Sequence, residues 1–244
     1  MLFKPMVVPL AMESGKICTG QVILQPISLK SDRLLGSALL LATVVGSGIM
    51  GERLVGASVG GGAIVLLANS LATGAALFAL IVMLAPISGA HFNPLVTMIE
   101  ALSRRMPRHQ APFYIAAQFA GAIVGVFIAH LMFELPLIHP SQHGRTGASQ
   151  WFSEFVATFG LLCVILFGTK SRVTTMAGMV ACYITAAYWF TASTSFANPA
   201  VTFARSLSDT FSGIRMVDAP LFMVAQLMSA QTAYALYRWM VREQ

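Results

Sequence analysis

Long apolar stretches alternate with short polar breaks along most of the chain. Six of the stretches, at 34–50, 63–84, 113–133, 152–168, 173–191 and 220–240, approach the length of a membrane span. A helix that crosses the hydrocarbon core needs roughly 20 mainly apolar residues. The pattern therefore predicts six transmembrane helices that are joined by short loops.

Two shorter segments, 87–102 and 193–207, follow the second and fifth stretches and resemble each other. The first reads SGAHFNPLVTMIEAL from Ser88, and the second reads STSFANPAVTFARSL from Ser193. Each begins with turn-forming residues and continues as a helix. Because a helix rises only about 1.5 Å per residue, each segment covers about half of a bilayer. These segments predict two half-helices.

The similarity continues beyond the short segments, because APFYIAAQFAGA from Ala111 matches APLFMVAQLMSA from Ala219. The chain thus contains two similar halves of three spans each. Since three is odd, the second half enters the membrane in the opposite orientation, as in many transport proteins. We predict an all-α membrane protein with six transmembrane helices and two re-entrant half-helices in an inverted repeat. Residues 31–244 form its channel domain, with halves at about 31–140 and 141–244.

Composition and charge placement agree with this plan. The chain is 57% hydrophobic and 10% charged, whereas a soluble domain is typically about 25% charged. With the N-terminus inside, 11 of the 15 lysine and arginine residues fall on the cytoplasmic side: Lys4, Lys16, Lys30, Arg33, Arg104, Arg105, Arg108, Lys170, Arg172, Arg238 and Arg242. The other four are Arg53, Arg145, Arg205 and Arg215.

This asymmetry predicts cytoplasmic N- and C-termini and a location in the cell (inner) membrane. It also explains the net charge of +6 by contact with the lipid bilayer, without a nucleic-acid partner. Residues 1–30 are expected to be a poorly ordered cytoplasmic extension, with a mis-assigned start codon or an amphipathic surface segment as the alternatives. The cysteines lack metal-ligand spacing and no nucleophile stands near a base, so we expect no metal, no cofactor and no enzymatic activity.

Two Asn-Pro motifs start the half-helices: Asn93-Pro94-Leu95 and Asn198-Pro199-Ala200. Asparagine is a good helix N-cap, and proline fits the first helical position. Entering from opposite faces, the two helix starts meet near the midplane and present partial positive charge. The asparagine amides can donate hydrogen bonds to a passing oxygen. The motifs predict a passage that admits small uncharged polar solutes and repels cations and protons.

These motifs carry a family resemblance. With SGAHFNP in the first half and FANPA in the second, residues 31–240 resemble the major intrinsic protein family, the aquaporins and aquaglyceroporins. The resemblance implies a pore in every subunit and a homotetramer. The stretch NPAVTFARSLSDTF also resembles a bacterial subgroup of aquaglyceroporins associated with arsenic handling, which implies arsenous acid or methylated trivalent arsenicals as cargo.

In the resemblance, four outer positions set selectivity, and alignment from the motifs gives Thr73, Ala186, Ser195 and Val201. Most family members have arginine at the fourth position, and water-selective members have Phe and His at the second- and fifth-span positions. Small side chains here imply a wider mouth for glycerol, urea, neutral metalloid acids such as arsenous acid, and water. A water-selective aquaporin and a proton-coupled secondary transporter remain alternatives.

Several ionisable residues lie near these positions. Arg205, one turn after Val201, either reaches the pore and partly replaces the missing charge or pairs within the fold. Glu100 occupies the equivalent place in the first half. In the family a glutamate in each half helps hold the half-helix loop; Glu154 matches the second, whereas Arg33 replaces the first. A coupled transporter would bind its ion at such a residue.

Two further features have simpler interpretations. His91, beside the first motif, is expected to form a loop hydrogen bond, with a pH gate as the alternative. Gly121 and Gly125 form a GxxxG pattern on the third span, which predicts close helix packing.

Overall fold

The computed structural model describes residues 28–56 and 60–242, which form eight α-helices. Their bounds are α1 Ser28–Val55, α2 Gly61–Ser88, α3 Pro94–Leu102, α4 Ala111–Met132, α5 Ala148–Phe167, α6 Val173–Phe190, α7 Pro199–Arg205 and α8 Ala219–Arg242. A single 3-10 turn, Arg108–Gln110, precedes α4. Helix α1 begins three residues before the expected domain boundary at residue 31. The rest of the predicted extension lies outside the described residues.

Six helices are long and two are short, as the sequence predicts. Five of the long helices are both long and apolar enough to cross a membrane. The sixth, α8, has 24 residues and is long enough to cross a membrane, although it is not apolar enough to be counted with these five. The short helices α3 and α7 contain 9 and 7 residues and begin directly after Asn93 and Asn198. The all-helical prediction with two half-helices is confirmed.

The packing of the helices repeats between the two halves. Helix α1 packs on α2 and α4, and α5 packs on α6 and α8 in the same way. The half-helices follow the same rule, because α3 contacts α4 and α7 contacts α8. Contacts between α2 and α6 and between α3 and α7 join the halves. Each half-helix therefore lies enclosed by long helices, which fixes its N-terminus inside the bundle.

The described members of the two basic groups predicted from the sequence lie at opposite ends of the bundle. At the end that we call the inner end, Arg105 pairs with Glu100 at 2.9 Å. At the other, outer end, Arg145 donates to the Gly213 carbonyl at 2.8 Å, and Arg215 pairs with Asp218. Between the ends, large apolar side chains face outward, such as those at Leu71, Phe152, Leu131 and Met228. An outer surface of this kind suits a lipid environment.

The glycines of the GxxxG pattern allow α4 to approach the backbone of α1. A Cβ atom built on Gly121 would collide with the Leu34 carbonyl oxygen, and one on Gly125 with the Ala38 carbonyl oxygen. Neither obstacle is a flexible side-chain end that could move aside. The packing prediction is confirmed by these close approaches.

We expect Gly125→Ala to destabilise the protein by about 1–3 kcal/mol, because α4 must move away from α1. Thermal unfolding in detergent measures the effect. Gly178→Ala is the matched control, since a Cβ at this helical glycine meets no atom within 4 Å. An equal melting temperature for the two variants would contradict the packing account.

Candidate functional site

A cavity of about 340 Å³ lies between the two halves and touches both asparagine motifs. Its walls are stripes of side chains at four-residue spacing, which lie on one face of a helix. The stripes are Leu40 and Val44 on α1, Thr73, Leu77 and Ile81 on α2, Leu161 and Ile165 on α5 with Thr169 just after its end, and Met176, Val180, Ile184 and Tyr188 on α6. The walls are thus mainly apolar between the two motif loops, and further polar groups line the two ends of the cavity.

The two asparagines bind across the interface between the halves. The Nδ2 amide of Asn93 donates to the Ala197 carbonyl at 2.7 Å. Reciprocally, the Nδ2 amide of Asn198 donates to the Phe92 carbonyl at 2.8 Å. A side-chain amide carries two hydrogens, so each asparagine keeps one for another acceptor. Both asparagines line the cavity, so this second hydrogen lies at the cavity wall.

The asparagine oxygens cap the half-helices as predicted. Asn93 Oδ1 accepts from the Leu95 amide at 2.9 Å. Asn198 Oδ1 accepts from the amides of Ala200 at 3.0 Å and Val201 at 3.3 Å. Pro94 and Pro199 occupy the first helical positions. Each motif therefore fixes its asparagine at a helix N-terminus, where partial positive charge faces the cavity.

Glu154 supports the second motif loop. Its side chain is fully buried, and its carboxylate accepts hydrogen bonds from the Phe196 and Ala197 amides. Gln226 donates to the same carboxylate at 2.9 Å and to Thr202 Oγ1 at 2.8 Å. The loop that leads into α7 is therefore held from α5 and α8 together. This is the role that the family resemblance implies for this glutamate.

The first motif loop is supported without a glutamate. Gln118, the counterpart of Gln226, donates directly to the His91 carbonyl at 2.5 Å and to Thr97 Oγ1 at 2.9 Å. Arg33 donates to the Ser88 carbonyl at 2.5 Å and stacks over the Tyr114 ring at 3.6 Å. A glutamate accepts from loop amides, whereas these residues donate to loop carbonyls. The first motif loop is therefore held although Arg33 replaces the glutamate. Its supporting side chains donate hydrogen bonds to the loop, whereas a glutamate would accept them.

Three of the four predicted constriction residues line the outer half of the cavity: Thr73, Ser195 and Val201. The prediction for Ala186 is wrong, because this residue is exposed on the opposite face of α6. Tyr188, two positions later, lines the cavity instead. Its hydroxyl lies 3.2 Å from Thr73 Oγ1. An aromatic ring therefore narrows the mouth where the sequence predicted a methyl group.

We expect Tyr188→Ala to raise glycerol permeability by about fivefold, because removing the ring widens the outer end. Stopped-flow light scattering on proteoliposomes measures this change. Ala186→Leu is the matched control on the same helix, and its permeability should stay within about twofold of the unmodified protein. A large loss of flux in Ala186→Leu would restore the original assignment.

Arg205 both lines the cavity and forms contacts within the fold, which the sequence analysis treated as alternatives. Its guanidinium lines the cavity and stacks over the Phe196 ring at 3.5 Å. Its Nε donates to the Ser212 carbonyl, while Nη1 is buried and has no hydrogen-bond partner among the described residues. The arginine is thus paired within the fold and still presents a buried donor at the outer end of the cavity.

At the inner end, Glu100 and Arg105 line the cavity with Thr169. The arginine Nε donates to the carboxylate at 3.0 Å, so Glu100 is paired. His91 also lines the cavity. Its predicted loop hydrogen bond is made by its backbone carbonyl rather than by its buried Nδ1, for which the described residues offer no partner.

Arg145, which the sequence indicated only as an outer charge, ties several outer loops together. It donates to the carbonyls of Gly213 at 2.8 Å, Phe211 at 3.2 Å and Ser193 at 3.3 Å. Burial lowers the pKa of Arg145 to about 10, which leaves it charged at neutral pH. Because its partners lie in two chain segments that are distant from it in sequence, no local sequence pattern indicated this role.

Comparisons with known proteins agree with this geometry. Residues 32–193 match the family model described as "Major intrinsic protein". The chain is 52% identical over 208 residues to aquaglyceroporin AqpS of Rhizobium meliloti (strain 1021), covering 85% of this chain and 88% of that protein. It is 36% identical to aquaporin NIP2-1 of Oryza sativa subsp. japonica, over 61% of this chain and 52% of that one.

A solved structure supports the fold. The aquaglyceroporin from Plasmodium falciparum superposes with a TM-score of 0.61 at 20% sequence identity. The match covers 87% of this chain and 94% of the other. At this identity the likeness concerns the fold alone.

Proposed function

This chain belongs to the major intrinsic protein family and is a multi-pass membrane channel for small neutral solutes, and we propose that glycerol, urea and neutral metalloid acids such as arsenous acid cross it together with water. The observation that carries the proposal is the cavity itself. It is mainly apolar along its walls, and both asparagine amides face it with hydrogens to donate. Solutes with an apolar body and several oxygens fit such a lining.

Ion exclusion is proposed for the region where the two motifs meet. Two half-helix N-termini point into the cavity there, and their partial positive charge opposes cations. Arg205 adds a full positive charge at the outer end, one turn after the position where most family members carry arginine. We propose that this residue partly replaces the missing filter charge. An ion in the mainly apolar cavity would lose its hydration without compensation.

The proton-coupled alternative finds little support among the candidate residues. Coupling needs an ionisable group that binds and releases an ion or proton during transport. Glu154 is engaged by two backbone amides and Gln226. Glu100 is paired with Arg105. Both groups thus have structural partners, which favours passive conduction.

A water-selective channel is the second candidate function, and one observation favours it. Tyr188 and Arg205 both line the outer end, and the Tyr188 hydroxyl lies 3.2 Å from Thr73 Oγ1. This mouth is narrower than four small side chains would make it. The ratio of glycerol to water permeability decides between the two candidates.

We also propose that the channel sits in the inner membrane with both termini in the cytoplasm, as a homotetramer with one pore per subunit. The distribution of lysine and arginine supports the orientation. The family resemblance supports the assembly. Chemical cross-linking in native membranes tests the assembly, and a largest product of two subunits would contradict it.

The function is tested by stopped-flow light scattering on proteoliposomes, with arsenous acid, urea and glycerol as solutes. Each solute is measured with and without an imposed proton gradient. We expect solute entry at rates that the gradient does not change. Uptake that requires the gradient would assign the protein to the coupled transporters instead.

A further inference from the structure

We propose that His130 is a positioning residue for Arg205, acting through a buried chain of hydroxyl groups that joins the end of α4 to the outer end of the cavity. The inference rests on the proposed role of Arg205 in the solute passage. It concerns residues that lie outside the cavity and touch no solute.

The hydroxyl chain runs without a break from His130 to Ser212. His130 Nε2 lies 2.9 Å from Ser208 Oγ. Ser208 Oγ lies 3.1 Å from Thr210 Oγ1, which lies 3.3 Å from Ser212 Oγ. His130, Ser208 and Ser212 are fully buried, and Thr210 is 8% exposed. In such a setting each polar atom needs a partner, because water cannot replace a lost hydrogen bond.

The direction of every hydrogen bond in the hydroxyl chain follows from the bond that His130 makes to the Leu137 carbonyl. His130 Nδ1 lies 2.9 Å from the Leu137 carbonyl oxygen. A carbonyl oxygen only accepts, so Nδ1 carries the proton, and Nε2 of the neutral imidazole accepts. Ser208 therefore donates to His130, Thr210 donates to Ser208, and Ser212 donates to Thr210. In this order the Ser212 hydroxyl must point its hydrogen toward Thr210 Oγ1.

Ser212 connects the chain to the cavity. Its backbone carbonyl accepts the hydrogen bond from Arg205 Nε. The guanidinium is held against Phe196 at 3.5 Å, while Nη1, which has no hydrogen-bond partner within 28–56 and 60–242, belongs to a residue that lines the cavity. The position of Ser212 therefore sets how far the guanidinium stands from the solute path.

The surrounding loop has other supports, so the loss of the hydroxyl chain does not unfold it. Arg145 holds the Gly213 carbonyl, and the Phe211 amide donates to Glu52. The Ser141 amide donates to the Ser206 carbonyl at 3.0 Å. These bonds hold the neighbouring residues of the loop. The hydroxyl chain restrains Ser212 itself, whose carbonyl accepts from Arg205.

Ser208→Ala removes the middle hydroxyl with little change in volume. We expect the freed guanidinium to project into the cavity, so that glycerol permeability falls by roughly three- to tenfold relative to water, about the effect of one lost hydrogen bond. Stopped-flow measurements on reconstituted protein give both permeabilities from one preparation.

Two histidine variants separate positioning from a loss of bulk. In His130→Gln the side-chain oxygen reaches the Nε2 position and can still accept from Ser208. In His130→Asn the amide reaches the Nδ1 position, so it keeps the Leu137 bond and loses Ser208. We expect His130→Gln to retain the glycerol-to-water ratio and His130→Asn to lower it. The same loss in both variants would overturn the proposal.

A double-mutant cycle tests whether the chain acts through Arg205. In an Arg205→Met background no guanidinium remains to move, so adding Ser208→Ala should leave the glycerol-to-water ratio unchanged. A multiplicative loss in the double variant would overturn the inference while the channel function stands. Absence of glycerol flux in the unmodified protein would instead contradict the proposed function, so the two failures are distinct.

Discussion

Replacing Val201 with arginine will lower glycerol permeability by about tenfold or more and leave water permeability within about twofold. Val201 is buried on α7 and lines the outer half of the cavity, one helical turn before Arg205. A long cationic side chain at this point occupies the space through which a three-carbon solute must pass. Water is smaller and can pass beside the guanidinium.

Stopped-flow measurements with both solutes test this expectation, and Val201→Leu is the matched control. Leucine adds one methylene group and no charge. The glycerol permeability of Val201→Leu should therefore fall less than that of Val201→Arg. Equal loss of water and glycerol in Val201→Arg, or loss of neither, would contradict the placement of Val201 at the narrow part of the passage.

The second large effect is expected at Glu154. Glu154→Leu leaves the Phe196 and Ala197 amides without their acceptor inside the protein. Each unsatisfied buried group costs about 1–3 kcal/mol. We therefore expect the melting temperature in detergent to fall by about 5–15 °C. Solute flux should also fall, because the second motif loop loses its support.

Two other variants make the Glu154 result specific. Glu154→Gln keeps one acceptor oxygen, so it should lie between the unmodified protein and Glu154→Leu in melting temperature. Glu134→Gln changes an exposed carboxylate near the end of α4 and should have no effect. If Glu154→Leu melts at the temperature of the unmodified protein, the carboxylate does not hold the loop.

Much of the fold followed from local features of the sequence. Apolar stretches located the long helices, and the two Asn-Pro segments located the half-helices, because capping chemistry depends only on neighbouring residues. The inversion followed from the odd number of spans in each repeat. These features need no knowledge of which distant residues meet.

The error at Ala186 has a physical cause. Its position was obtained by counting back from Asn198 through the link between α6 and α7. That link is irregular, and Thr194, Ser195 and Ala197 all have positive φ. A count through such a segment can be wrong by two residues, which moves a helical position by about 200°. The stripe Met176, Val180, Ile184 and Tyr188 on α6 carried the correct signal.

The supports of the loops were harder to predict, because they join residues that are distant in sequence. Gln118 and the His91 carbonyl are 27 residues apart, and His130 and Ser208 are 78 apart. The sequence showed that Arg33 replaces a family glutamate. It could not show that donors to the loop carbonyls take over the support.

The central claim is that neutral solutes larger than water pass through the cavity between the two motifs. The most direct test mixes proteoliposomes with a hyperosmotic glycerol solution and follows their volume by light scattering. The account predicts rapid shrinkage followed by rapid reswelling, as water leaves and glycerol then enters with water. Shrinkage with reswelling no faster than in protein-free vesicles would contradict it and identify a water-selective channel.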